Sequence, residues 1–282
     1  MLHIGGIVTL NNLVVYLASN VEKILLGRFW GAEALGLYGR AYQLANLPVQ
    51  QLNSSIGTVA FSALSRTQGD LERLRRSFLR VYSVVISMTI PVSISCALFA
   101  DEIVRIVLGP KWMGAAAVLR LLAPTVLAFA LVDPLGWFLQ ATGRSGRSLN
   151  IALLIAPVVI LGIIAGLRHG PTGVALGYST AMVLLVAPVV AWSKHGTGVT
   201  TWDYWNSIRR PLAAGAIASA VGWLFKVACE SALTPVSLVI LGLTILLGVY
   251  AWILLIVMGQ KSSYADLLSH LFQRIRPNAG SD

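Results

Sequence analysis

Residues 151–167, IALLIAPVVILGIIAGL, and residues 171–193, PTGVALGYSTAMVLLVAPVVAWS, are two apolar runs without one Asp, Glu, Lys or Arg, parted by Arg168-His169-Gly170. A helix needs about 20 apolar residues to cross a hydrocarbon layer of roughly 30 Å. The triplet His169-Gly170-Pro171 is a break signal. The stretch therefore predicts two consecutive membrane spans, 147–167 and 171–193. Working outward, apolar blocks of similar length predict further spans at 4–27, 36–61, 79–100, 113–141, 209–229 and 233–258. Breakers divide them: Gly36, Gln68-Gly69-Asp70, Gly109-Pro110, Gly143 with Ser145-Gly146, and Gly196-Thr197-Gly198. The expected fold class is an all-α integral membrane protein of about eight transmembrane helices.

Composition agrees with that pattern. Hydrophobic residues make up 56% of the 282, charged residues 11%, and the mean hydropathy is +0.77. A soluble domain carries roughly a quarter of its residues as charges. The net charge of +10 would point to nucleic acid in a soluble protein. In a membrane protein, Lys and Arg gather in the cytoplasmic loops, so no nucleic-acid partner is expected. Cys96 and Cys229 both lie in apolar stretches and have no zinc or disulfide spacing. The opening Met1-Leu2-His3-Ile4-Gly5-Gly6 lacks the basic lead of a signal peptide. It runs straight into a span, as expected of a fragment or of the second half of a longer protein.

Orientation follows from counting bases. With residue 1 cytoplasmic and spans alternating, the inside loops and tail hold thirteen: Arg66, Arg73, Arg75, Arg76, Arg80, Arg144, Arg147, Lys194, Arg209, Arg210, Lys261, Arg274 and Arg276. Outside stand six: Arg28, Arg40, Arg105, Lys111, Arg168 and Lys226. That excess predicts cytoplasmic termini at both ends. Residues 70–80 and 262–276 read as amphipathic helices lying at the membrane surface.

Polar side chains at bilayer depth usually face a bundle interior or a watery cavity. In the first span Asn12, Tyr16, Ser19 and Lys23 recur at i, i+4, i+7 and i+11, one stripe of a helix. In the second, Gln43, Asn46, Gln50 and Asn53 or Ser54 repeat that spacing, and Pro48 predicts a kink. Two such stripes describe the wall of a polar cavity for a hydrophilic group, with Lys23, Arg28, Arg40 and Arg120 placed to attract a phosphate. The same residues also suit interhelical hydrogen bonding without any ligand. Glu22 and Asp133 are the acids placed for coupling to an ion, and Pro134 would open the backbone beside the latter. No Asp-x-Asp pair, phosphate-cradling Gly-x-x-x-x-Gly-Lys loop or metal-ligand cluster occurs. A transporter without metal or cofactor is expected, not an enzyme.

Several segments resemble one family. They are Ile24-Leu25-Leu26-Gly27-Arg28-Phe29-Trp30-Gly31, Leu35-Gly36-Leu37-Tyr38, Arg40-Ala41-Tyr42-Gln43-Leu44 and Leu47-Pro48. Ala63-Leu64-Ser65-Arg66, Val107-Leu108-Gly109-Pro110-Lys111-Trp112, Leu119-Arg120-Leu121-Leu122 and Gln140-Ala141-Thr142-Gly143-Arg144 continue the match. Together they resemble the polysaccharide flippases of the multidrug/oligosaccharidyl-lipid/polysaccharide superfamily, densely over 5–145 and only in hydropathy beyond. The resemblance implies two six-helix lobes around a central cavity, followed by two further helices. This chain would supply the second lobe (1–195), the two added helices (196–260) and a cytoplasmic tail (261–282). It implies an undecaprenyl-diphosphate-linked oligosaccharide as substrate, alternating access driven by antiport, and a partner in a missing N-terminal lobe or a second subunit. The location implied is the bacterial inner membrane. A drug or metabolite antiporter of the same superfamily and a membrane glycan polymerase or glycosyltransferase are the alternatives. A large extracytoplasmic loop or an acidic metal motif would have favoured the enzymes, and neither is present.

Overall fold

The computed structural model describes residues 20–66, 70–195 and 197–257, with positions 9, 10, 12, 13 and 16 of the segment before them. All regular structure among the described residues is helical. In chain order the helices are α1 (Val21–Arg66), α2 (Leu71–Leu98), α3 (Ala100–Val107), α4 (Gly114–Ala141), α5 (Ser145–Gly166), α6 (Gly170–Ser193), α7 (Thr201–Cys229) and α8 (Pro235–Trp252). A π-helical turn, Ile253–Val257, continues α8.

Among the described residues, five stretches are long and apolar enough to cross a membrane: Glu72–Leu98, Gly114–Ala141, Gly146–Ser193, Thr201–Cys229 and Pro235–Val257. The third, 48 residues long, contains both α5 and α6. The 3-10 turn Leu167–His169 and the positive φ of Gly170 (66°) separate them. Of the expected span 4–27, residues 20–27 and positions 9, 10, 12, 13 and 16 are described, Val21 onward lying in α1, and 36–61 falls inside α1. The surface helix expected at 262–276 also lies outside them.

Two expectations are revised. The break in α1 is at Gly31, not Gly36. Gly31 has φ 80° and ψ −177°, a conformation open in practice to glycine alone. Gly36 instead stays helical beneath the Trp112 ring. Nor do residues 70–80 lie flat on the surface, because they are the first turns of α2. Asp70 caps that helix by accepting from the backbone N–H groups of Glu72 and Arg73, and the Arg73 bond leads in holding its carboxyl below the ordinary range. Leu74, Phe78 and Tyr82 then enter the core, Phe78 at 4.4 Å from the Phe138 ring centroid and Tyr82 at 5.3 Å from that of Tyr204. An apolar stripe satisfied by neighbouring helices has no need of lipid.

α4 is the hub. Its small residues Ala115, Ala116 and Ala123 pack into a core shared with α1, α3 and α6. Its far half, Leu135, Phe138 and Leu139, joins a second core with α2, α7 and α8. Ion pairs pin α2, α3 and α7 at both ends: Arg75 to Asp203 at 2.6 Å, and Lys226 to Glu102 at 2.8 Å.

Prolines interrupt most of these helices, and each frees a backbone carbonyl one turn earlier that lipid cannot satisfy. Hydroxyls from other helices donate to carbonyls at or next to these breaks. Tyr250 donates to the Ser87 carbonyl, four residues before Pro91, at 2.8 Å. Tyr82 donates to the Leu131 carbonyl, three before Pro134, at 3.1 Å. Ser179 donates to the Leu121 carbonyl, three before Pro124. Kinks thus become interhelical ties.

α5 and α6 are in backbone contact. A Cβ on Gly166 would stand 2.0 Å from the Gly173 carbonyl oxygen, and one on Gly177 would stand 2.0 Å from that of Gly162. Small residues four apart on facing helices let backbones touch, the usual device where lipid removes any hydrophobic drive to associate. Trp30, just before the break in α1, donates its indole N–H to the Leu167 carbonyl at 2.7 Å and lays its ring against Gly170.

Candidate functional site

The faces of α1, α4, α5 and α6 line a half-open cavity of about 540 Å³, to which Asn12 also contributes. Its polar groups follow helical periodicity. On α1, Tyr42, Asn46, Gln50 and Asn53 form one stripe; on α4, Asp133, Trp137 and Gln140 sit at i, i+4 and i+7. Tyr178 and Ser193 enter from α6 and Ser148 from α5. Apolar side chains such as Val159 and Met182 complete the wall. That mixture, and a volume in the 300–1,000 Å³ range of small-molecule sites, suits a ligand with both polar and apolar parts.

The amides hold definite orientations. Asn53 Nδ2 donates to Asp133 Oδ2 at 2.8 Å, and its buried Oδ1 has no partner among the described residues. Asn46 is buried and donates to the Tyr42 carbonyl at 3.0 Å. Trp137 presses its indole on Gly57, where a Cβ would come within 3.1 Å of the ring. Gly57 thus lets that ring lie close to α1. Among the described lining residues there is a single charged group, Asp133, and no Lys or Arg.

Of the residues singled out by sequence, the structure brings Asn12, Asn46, Gln50 and Asp133 into this cavity. Lys23 stands beside it, its Nζ 3.0 Å from Asn20 Oδ1 and 5.7 Å from the centroid of the Tyr42 ring. Glu22 is fully buried, and neither carboxylate oxygen has a hydrogen-bond partner among the described residues. Gln43 is exposed and accepts from Arg40 at 3.2 Å, while Arg40 lies over the Trp112 ring. Arg28 is exposed, Arg120 pairs with Asp101 near the opposite end of the bundle from Asp70, and Tyr16 is exposed with its carbonyl accepting from Asn20. None of these five lines the cavity. Ser19 lies outside the described residues.

Sequence reasoning missed Tyr42, Trp137, Gln140 and Tyr178. Gln140 was recoverable at i+7 from Asp133. The aromatic rings gave no signal, because in an apolar run they look like packing.

The geometry can be set beside known proteins. Residues 1–117 match a family model described as polysaccharide biosynthesis protein. The chain is 29% identical over 213 residues to the lipopolysaccharide biosynthesis protein WzxC of Escherichia coli K12, covering 71% of this chain and 43% of that protein. It is 34% identical over 135 residues to the teichuronic acid biosynthesis protein TuaB of Bacillus subtilis, covering 48% of this chain and 28% of that one. These matches are to proteins of polysaccharide biosynthesis, and the family model covers the first 117 residues of the chain. The chain's fold is similar to that of the lipid II flippase MurJ in an inward closed conformation, which superposes with a TM-score of 0.72 at 18% identity. That superposition covers 92% of this chain and 53% of MurJ. The chain thus spans about half, or less, of the length of these relatives.

Proposed function

We propose that the chain forms one lobe of a flippase that moves a lipid-linked oligosaccharide across the bacterial inner membrane. The observation that carries this reading is the amide-lined cavity between α1, α4, α5 and α6. Amides and hydroxyls at fixed spacing replace the water that sugar hydroxyls lose, and Trp137 offers a face on which a pyranose can stack. The lipid tail, of undecaprenyl-diphosphate type, stays in the bilayer while the head group crosses.

The scarcity of basic groups in the described lining argues that a facing lobe, or a second subunit, holds the diphosphate, with Lys23 assisting at the edge. Glu22 and Asp133 are the groups we assign to cation or proton coupling, since a carboxylate without a counter-charge at this depth gains most from a bound cation. No bond is made or broken in this scheme, so the protein acts as a transporter and not as an enzyme. The arginine-rich end of α2 faces the cytoplasm, with both termini on that side.

The test is export of surface glycan in cells lacking their own polysaccharide flippase and supplied with the protein carrying this chain. Asn46→Leu, Gln50→Leu and Gln140→Leu should each lower export at equal membrane abundance, while Gln43→Leu, outside the cavity, should not. Equal export by all four variants would remove the cavity from the transport path.

A further inference from the structure

We propose that the first turns of α2 form a binding site for the phosphodiester headgroup of an anionic phospholipid, built by Arg73, Arg76 and Arg80. These residues stand at i, i+3 and i+7, within an arc of about 60° at 100° per residue. With Ser77 and Asp70 they line an open concavity of about 310 Å³. The other faces of the same turns are already occupied. Leu74 and Phe78 are buried in the core, and Arg75 is drawn to Asp203 at 2.6 Å. The arc of arginines is what remains outside the helix packing.

Their charge is only partly balanced. Arg76 meets Glu72 at 3.2 Å, but Glu72 is shared with Arg75 at 3.4 Å. Arg73 reaches Asp70 only at 3.9 Å, and Arg80 makes no ion pair with a described residue. Guanidinium groups bind phosphate oxygens in pairs of parallel hydrogen bonds, and a cluster of them with a hydroxyl is suited to a phosphodiester.

Their height in the membrane selects the partner. The segment from Val81 to Leu98 is uncharged and rises about 27 Å at 1.5 Å per residue, close to the roughly 30 Å of a hydrocarbon core. Arg80 therefore sits at the hydrocarbon boundary, with Arg76 and Arg73 about 6 and 10 Å further out. Headgroups occupy that layer. The site is independent of the glycan cavity, and its assignment needs only that α2 spans the bilayer.

The experiment titrates detergent-purified protein with spin-labelled phosphatidylglycerol and, separately, with spin-labelled phosphatidylcholine. At about fivefold per arginine, the combined R73Q/R76Q/R80Q variant should lose affinity for phosphatidylglycerol on the order of 100-fold. Phosphatidylcholine binding should not change, and Arg28→Gln should keep the preference. Arg80→Gln alone, remote from the capped first turn, should lose about fivefold and guards against misfolding of the triple variant. Unchanged phosphatidylglycerol affinity in Arg80→Gln and in a folded triple variant would overturn the proposal. So would displacement of the lipid by inorganic pyrophosphate at lower concentration than by soluble glycerophosphoglycerol, which would give the site to a diphosphate ligand.

Discussion

Replacing Gly166 by alanine tests the packing on which the cavity depends. The added Cβ would stand 2.0 Å from the Gly173 carbonyl oxygen, against 3.4 Å or more in ordinary contacts. That atom is backbone, so no side chain can swing away, and α5 and α6 must part locally by about 1.4 Å. A gap of 0.5–1 Å already forfeits a quarter to a half of each dispersion contact along the interface. Overpacking of this kind costs about 1–3 kcal/mol, offset by up to about 1 kcal/mol of helix propensity gained over glycine. A net cost of about 1–2 kcal/mol, at roughly 2–4 °C per kcal/mol for a chain of this size, should lower Tm in detergent by about 2–8 °C. Gly248 is the internal control, since a Cβ there meets nothing within 4 Å. Gly248→Ala should leave Tm unchanged or raise it slightly. The assay is thermal unfolding of both variants, followed by helical circular dichroism at matched detergent. If Gly166→Ala were as stable as Gly248→Ala, the two helices would not be in backbone contact. α5 and α6 also carry Val159, Tyr178 and Met182 of the cavity wall, so on the function proposed above the same substitution should reduce glycan export.

Two further substitutions test how helices are tied. Tyr250→Phe and Tyr82→Phe each remove one hydroxyl from a carbonyl at or next to a proline break. Each should cost about 0.5–2 kcal/mol, read as a lower unfolding temperature, and an undiminished value would show that the carbonyls find other donors. Arg75→Gln should destabilise the α2–α7 contact by breaking the 2.6 Å pair with Asp203. The arginine is about a third exposed, so the expected loss is only about 1 kcal/mol. A double-mutant cycle with Asp203→Asn measures the coupling, and zero coupling would show that the pair does not hold the helices.

Much of the fold was legible in the sequence because a bilayer imposes a length and a polarity on every span. The runs at 151–167 and 171–193 had to be helices, and His169-Gly170-Pro171 had to part them. Helical period likewise put Asn46, Gln50 and Asn53 on one face. Sequence alone did not say which turns of an amphipathic helix would be covered by protein. Leu74 and Phe78 looked lipid-facing until Phe138 and Tyr204, far along the chain, were found against them. The break at Gly31 was equally hidden, since glycine is common in membrane helices and only a positive φ distinguishes a hinge from a packing glycine. Partners of single charges were decided by tertiary structure too. Arg120 and Arg40 are drawn to Asp101 and to Gln43 with Trp112, because a charge takes the nearest compensating group in space and sequence spacing records only neighbours on the same helix.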